Sequence, residues 1–142
     1  MTHPTPDDQA WPAGVVRIGD KLDLIESPWT PHVVGALNGQ LIKMAKIAGE
    51  FVWHAHDNED EMFLVVEGEM MIHLREQGAA TEAVERIVRL RAGEFFIVPR
   101  GVEHCPSAES ECAVLLFEPA STAHAGAAMT DRAVEPDHQP RI

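Results

Sequence analysis

The stretch Gly49–Met70, GEFVWHAHDNEDEMFLVVEGEM, sets two histidines one residue apart, follows them with Asp57, Glu59, Asp60 and Glu61, and then runs into an apolar segment. In an extended chain successive side chains alternate faces, so His54 and His56 point the same way, roughly 6–7 Å apart along the backbone. Two imidazoles so placed can grip one ion from one side. The acids divide by the same alternation. Glu61 shares a face with Phe63 and Val65, where a carboxylate is expensive unless a cation or hydrogen bond compensates it. Asp57, Glu59 and Asp60 precede the strand and can remain solvated. Glu61 is therefore the acid assigned to the histidines.

Working outward, the chain after about residue 30 reads as short strands rich in Val, Ile, Leu and Phe, divided by turn signals. Asn38-Gly39 separates VVGAL from QLIKMAKI, a strong hairpin signal because a type I′ turn needs two residues at positive φ. Glu67-Gly68 and Ala92-Gly93 are read as two further turns, and AESE at 108–111 as a looser fourth. The spacing predicts an all-β fold, a meander or jelly roll of antiparallel strands, with one short helix at GDKLDLIES capped by Asp20 and turning Leu22, Ile25 and Leu24 inward. A two-residue turn at Glu67-Gly68 would set Glu61 opposite Leu74. A turn centred on Glu109-Ser110 would set His104 opposite Leu115, sharing its face with Ala113 and Phe117, and Cys105 opposite Val114.

A third histidine closes the segment GEFFIVPRGVEH, in which Pro99 ends a strand and Gly101 lets the chain reverse before His104. Taken together, the two segments resemble the two motifs of the cupin superfamily. His54, His56, Glu61 and Gly68 match the first motif. Gly93, Pro99, Gly101 and His104 match the second, whose closing Asn is Ala108 here. Among these proteins the chain is most similar to small single-domain bacterial cupins, loosely grouped with mannose-6-phosphate isomerases. The resemblance implies a double-stranded β-helix, or jelly-roll barrel, over about residues 33–119. It also implies one divalent transition metal per chain (Fe, Mn, Ni, Co or Zn) held by His54, His56, Glu61 and His104. Catalytic residues beyond the ligands are not implied.

The chain has 142 residues, 45% hydrophobic, which is the range of one globular domain. Residues 1–14 are expected to be a flexible N-terminal segment, 15–126 a single domain and 127–142 a disordered tail. A formal charge of −12 with eleven Lys and Arg argues against nucleic acid and anionic membranes. The absence of a signal-like start or a long apolar run makes a cytoplasmic protein the expectation. Two cysteines, Cys105 and Cys112, are read as reduced thiols. His3, His32, His124 and His138 are read as surface residues, His73 and Trp53 as facing away from the metal, and Phe63, Phe95 and Phe96 as core or pocket wall. Met62, Leu64, Val66 and Met71 make the second face of their strands apolar as well, which predicts a cover, preferably a second subunit in a homodimer, with the N-terminal segment or the short helix as alternatives. Two functions fit: a metal-dependent isomerase, lyase or dioxygenase acting on a small oxygen-rich molecule such as a sugar derivative or keto acid, and a non-catalytic cupin that binds or senses a small ligand.

Overall fold

The computed structural model describes residues 9–77, 83–122, 124, 126 and 139–142. Its elements are a helix α1 (Ile18–Leu22) and seven strands: β1 (His32–Leu37), β2 (Gln40–Glu50), β3 (Glu61–Glu67), β4 (Glu69–Gln77), β5 (Ala83–Arg91), β6 (Phe95–Val98) and β7 (Glu103–Pro119). All pair antiparallel, in the order β1-β2-β7-β3-β6, with β4 lying between β5 and the start of β7. This is the expected all-β jelly roll. β7 is its spine: Glu103–Ser107 pair with β4, whereas Ala113–Phe117 pair with β3 and Cys112–Pro119 with β2.

Only one of the four expected turns makes the expected hairpin. Asn38 and Gly39 both adopt positive φ (50° and 73°), and Leu37 pairs with Gln40. At Gly68 and Gly93 the chain turns but its flanking strands part, because consecutive strands of a jelly roll leave for different neighbours. Glu61 consequently lies opposite Val98, and Leu74 lies opposite His104. At 109–111 there is no reversal at all. Cys112 pairs with Ile47 and Ala108 with Gly49, so three residues of β7 span one residue of β2. Two extra residues make a bulge, which bends the strand between the two halves of the barrel and leaves Glu109, Ser110 and Glu111 exposed. Cys105 accordingly pairs with His73 rather than Val114, and both thiols are free.

The predicted faces hold where the predicted partners do not. Phe63, Val65, Met70, Ile72 and Leu74 share one buried cluster with Ala45, Ile47, Val114 and Leu116. Trp53 lies outside this core, its ring covered at 3.8 Å by the Arg75 guanidinium. Phe96 packs against the core, but Phe95 is 58% exposed on the outer face. α1 buries Leu22, and Ile25 follows it into a second cluster with Met44, Ala113 and half-buried Val66; Leu24 instead points to solvent, and Asp20 sits within the first turn and does not cap it. His32, read as a surface residue, is buried at the start of β1, with its Nδ1 2.7 Å from the Thr30 carbonyl.

Of the expected flexible ends, residues 1–8 and 127–138 lie outside the described residues, as do residues 78–82. Trp11 is bridged to Ala36, and the backbone at 140–142 runs beside Val33, with Val33 N–H donating to Pro140 and Ile142 N–H to Val33.

Gly68 gives a direct test of the β3–β4 connection. It holds φ at 86°, and a Cβ there would come within 3.2 Å of the Cys112 Cα and the Glu111 carbonyl. Gly68→Ala should cost about 1–3 kcal/mol. Gly19→Ala, in open space on α1, should be neutral or slightly stabilising. Thermal melts by circular dichroism read the contrast.

Candidate metal centre

Three backbone hydrogen bonds assemble the site. The chain from Phe51 to Asp60 is irregular, but His54 N–H donates to His104 O (3.0 Å) and His104 N–H to His54 O (2.8 Å), while Gly101 N–H donates to His56 O (2.8 Å). The loop carrying the two histidines is thereby sewn onto the turn that delivers the third. At the surface, Asp60 accepts from both the backbone and the guanidinium of Arg100, closing the same junction.

His54, His56, Glu61 and His104 are all buried, and one ligand atom from each lies within 4.8 Å of the others. His56 Nε2 stands 3.6 Å and His104 Nε2 3.4 Å from the Glu61 carboxylate. Nδ1 of His54 lies 2.9 Å from the Val52 carbonyl and Nδ1 of His104 lies 3.0 Å from the Val102 carbonyl. A carbonyl only accepts, so each Nδ1 carries the proton and each Nε2 offers a lone pair to the centre. Burial lowers the pKa of all three imidazoles, that of His54 to about 3, so they stand neutral as ligands must. Glu61 is pushed up, chiefly by burial. His56 Nε2 and His104 Nε2 are buried with no hydrogen-bond partner, an arrangement that a cation would satisfy. The group could therefore hold a metal ion.

Residues not singled out from the sequence surround this cluster. Lys43 is fully buried and its Nζ lies 2.8 Å from a Glu118 oxygen. The Glu118 carboxyl is raised well above its ordinary range, first by burial and then by the charge of Glu61 beside it. Glu118 belongs to the face of β7 that carries His104, Val114 and Leu116, the opposite of the face assigned with a turn at Glu109-Ser110. Beside the cluster lies a cavity of about 30 Å³ walled by Trp29, Phe51, Phe63, Val114 and Leu116, into which His54, Glu61 and His124 also face. His124, read as a surface residue, is half-buried with its ring centroid 4.9 Å from that of Phe51.

Residues 40–118 match the family Cupin_2, the cupin domain. The chain belongs to the cupin family. It is 38% identical to a cupin-2 domain containing protein from Shewanella frigidimarina NCIMB 400, whose crystal structure superposes with a TM-score of 0.66 over 74% of this chain and 94% of that one. It is 30% identical over 71 residues to the uncharacterized protein YdbB of Bacillus subtilis (strain 168), a match covering 50% of this chain and 56% of YdbB. The chain thus spans little more than half of that relative. The hydroquinone 1,2-dioxygenase PnpCD, in complex with Cd2+ and 4-hydroxybenzonitrile, shares the fold at 17% identity and a TM-score of 0.57, over 79% of this chain and 86% of that one.

The lowered histidine pKa values fix how the metal-free cupin responds to acid. The unfolded chain takes up a proton at His54 below about pH 6.5, whereas the folded chain does so only near 3. Stability from this group is thus complete above the unfolded value and is lost progressively as pH falls towards the folded one. Melting temperature of the chelator-treated protein should fall between about pH 7 and about pH 4, and the fall should be shallower in His54→Gln.

Proposed function

We propose that this cupin is a metal-dependent enzyme acting on a small molecule that presents one or two oxygens to the centre and an apolar body to the pocket walls. The observation that carries the reading is the convergence of three neutral imidazoles and one carboxylate on a buried point beside an apolar cavity. A structural site would be closed on all sides; a site next to a cavity leaves room for a ligand. His54, His56, Glu61 and His104 are the ligands in this reading, and the donor set suits Fe, Mn, Ni, Co or Zn. A divalent ion bound there supplies a Lewis acid that polarises an oxygen of the substrate.

The protein's own part is binding and exclusion of water. Phe51, Phe63, Val114 and Leu116 offer no hydrogen bonds, and the Trp29 indole N–H is already donated to Ala48 O at 2.9 Å. A sugar would strand its hydroxyls against such walls, each at a cost of about 1–3 kcal/mol. A keto acid, diketone or phenol would not. The apolar pocket thus narrows the oxygen-rich class towards molecules of that kind, and isomerase, lyase and dioxygenase chemistry all act on them. The hydroquinone dioxygenase of the same fold, in complex with a metal and a phenol, shows one such pairing.

Metal content of protein purified without chelators tests the reading. About one transition-metal ion per chain is expected, falling by more than about tenfold in His54→Ala and in Glu61→Gln. Retention of metal by both variants would end the assignment. Metal-loaded protein offered keto acids, diketones and phenols, with and without oxygen, then separates an enzyme from a binder, since saturable binding without turnover is the mark of a sensing module.

The same reading includes a homodimer. Met62 pairs with Ile97 and Leu64 with Phe95, which brings four apolar side chains to one outer face, with Phe95 58% and Ile97 50% exposed. Light scattering should give about twice the 15.6 kDa of one chain, and Phe95→Glu with Ile97→Glu should halve it. A wild-type monomer across a wide concentration range removes this part.

A further inference from the structure

We propose that His124 is a ligand-contacting residue of this cupin, the hydrogen-bonding partner for a polar atom of a small molecule bound at the metal centre. The inference rests on the metal assignment above and adds a residue that belongs to neither cupin motif.

The path of the chain places His124 over the site. After β7 ends at Pro119 the backbone turns, Thr122 N–H donating to Pro119 O at 3.0 Å, with Thr122 fully buried. By Gly126 it lies against the backbone of Ala55, the residue between His54 and His56. A Cβ on Gly126 would run into the Ala55 carbonyl, and the residue holds φ at +57°, so this close approach requires glycine. His124 is thus bracketed by a buried threonine and by a glycine seated on the ligand loop.

Its surroundings then aim it inward. The imidazole lies 4.9 Å from Phe51, centroid to centroid, and Phe51 in turn meets His54 edge-on at 5.4 Å. One aromatic ring separates it from a ligand. It lines the same cavity as His54 and Glu61. Those two belong to the group whose ligand atoms converge within 4.8 Å, and His124 does not. In a cavity with aliphatic and aromatic walls, it is the polar side chain placed to meet a bound molecule without being committed to the ion. Burial lowers its pKa to about 4, so at neutral pH the ring is neutral, with one protonated and one unprotonated nitrogen, the chemistry of both a donor and an acceptor. The ligands such a pair of anchors selects have two polar ends: an oxygen or nitrogen for the metal, and a second polar atom a short distance away for His124.

Azide, small enough for a cavity of about 30 Å³ and able to accept hydrogen bonds at both ends, is a suitable probe. The cobalt(II)-loaded protein is titrated with azide by visible absorption, in wild type, His124→Phe and His124→Gln. Cobalt content and the azide-free spectrum should match in all three. Azide affinity should fall by about tenfold in His124→Phe and return to within about threefold of wild type in His124→Gln, which keeps a donor and an acceptor. Equal azide affinity in wild type and His124→Phe overturns the proposal, as does a cobalt-loaded wild type that takes no azide. A loss that His124→Gln does not restore overturns it as a packing effect, and loss of cobalt in His124→Phe overturns it by making the residue a metal ligand. A wild type that takes no cobalt defeats the metal assignment and this inference together, whereas cobalt binding with azide indifferent to His124 defeats this inference alone.

Discussion

The exchanged backbone hydrogen bonds between His54 and His104 are what the site depends on. The two residues lie 50 positions apart in sequence, one in an irregular loop and one at the start of a long strand. Neither segment alone can bring three imidazoles together. Once the pair forms, each Nδ1 finds a carbonyl two residues earlier in its own chain, Val52 for His54 and Val102 for His104. The rings are thus turned by local geometry as soon as the segments meet. The Asp60–Arg100 pair and the Gly101–His56 bond close the same junction from its outer side. The Asp60–Arg100 contact is exposed and weak as an ion pair, but it forms where the two connecting loops must stay in register.

Burial makes the charges inside the barrel interdependent. Glu61 and Glu118 face one Lys43, so full ionisation leaves an excess negative charge in a region of low dielectric. Such a trio is a poor source of stability, because removing ions from water costs several kcal/mol each and one lysine cannot compensate two carboxylates. The apolar cluster around Ile72, Leu74 and Val114 supplies the cohesion that the polar centre does not. A divalent cation among the histidines would reverse the sign of the balance, which gives a physical reason for acids and imidazoles to share one interior.

How much of this could be read from the sequence follows from what alternation does and does not encode. Which residues of β3 and β4 face inward depends only on each strand's own period, and Phe63, Val65, Met70, Ile72 and Leu74 are buried together as the pattern requires. Which strands pair depends on where the chain goes after a glycine. Gly68 and Gly93 look like hairpin turns whether the next strand returns or departs. The grouping of His54, His56, Glu61 and His104 was legible because motif spacing survives ignorance of pairing. The face of His104 was not, since the polar run Glu109–Glu111 reads equally as a turn or a bulge, and only the bulge puts Glu118 inside. Alternation alone leaves the side of Lys43 open, because Ile42 and Met44 on one side of β2 are as apolar as Ala45 and Ile47 on the other. His124 lies in a stretch of alanine and glycine with no period, and its position is set by the approach of Gly126 to Ala55, a steric requirement that leaves only a glycine as its trace.

The relation between the core and the centre argues that an ion bound here would serve binding rather than folding. In small domains folded by a metal, the ligands are ordered only when the ion arrives, and its binding energy is spent on the chain. Here a continuous apolar core surrounds the site, and two of the imidazoles are already oriented by backbone carbonyls. An ion entering such a site loses little of its binding energy to ordering the protein. Neutral imidazoles and an apolar wall also keep the dielectric low around whatever binds beside it, so that each polar contact to that molecule counts for more than it would in water.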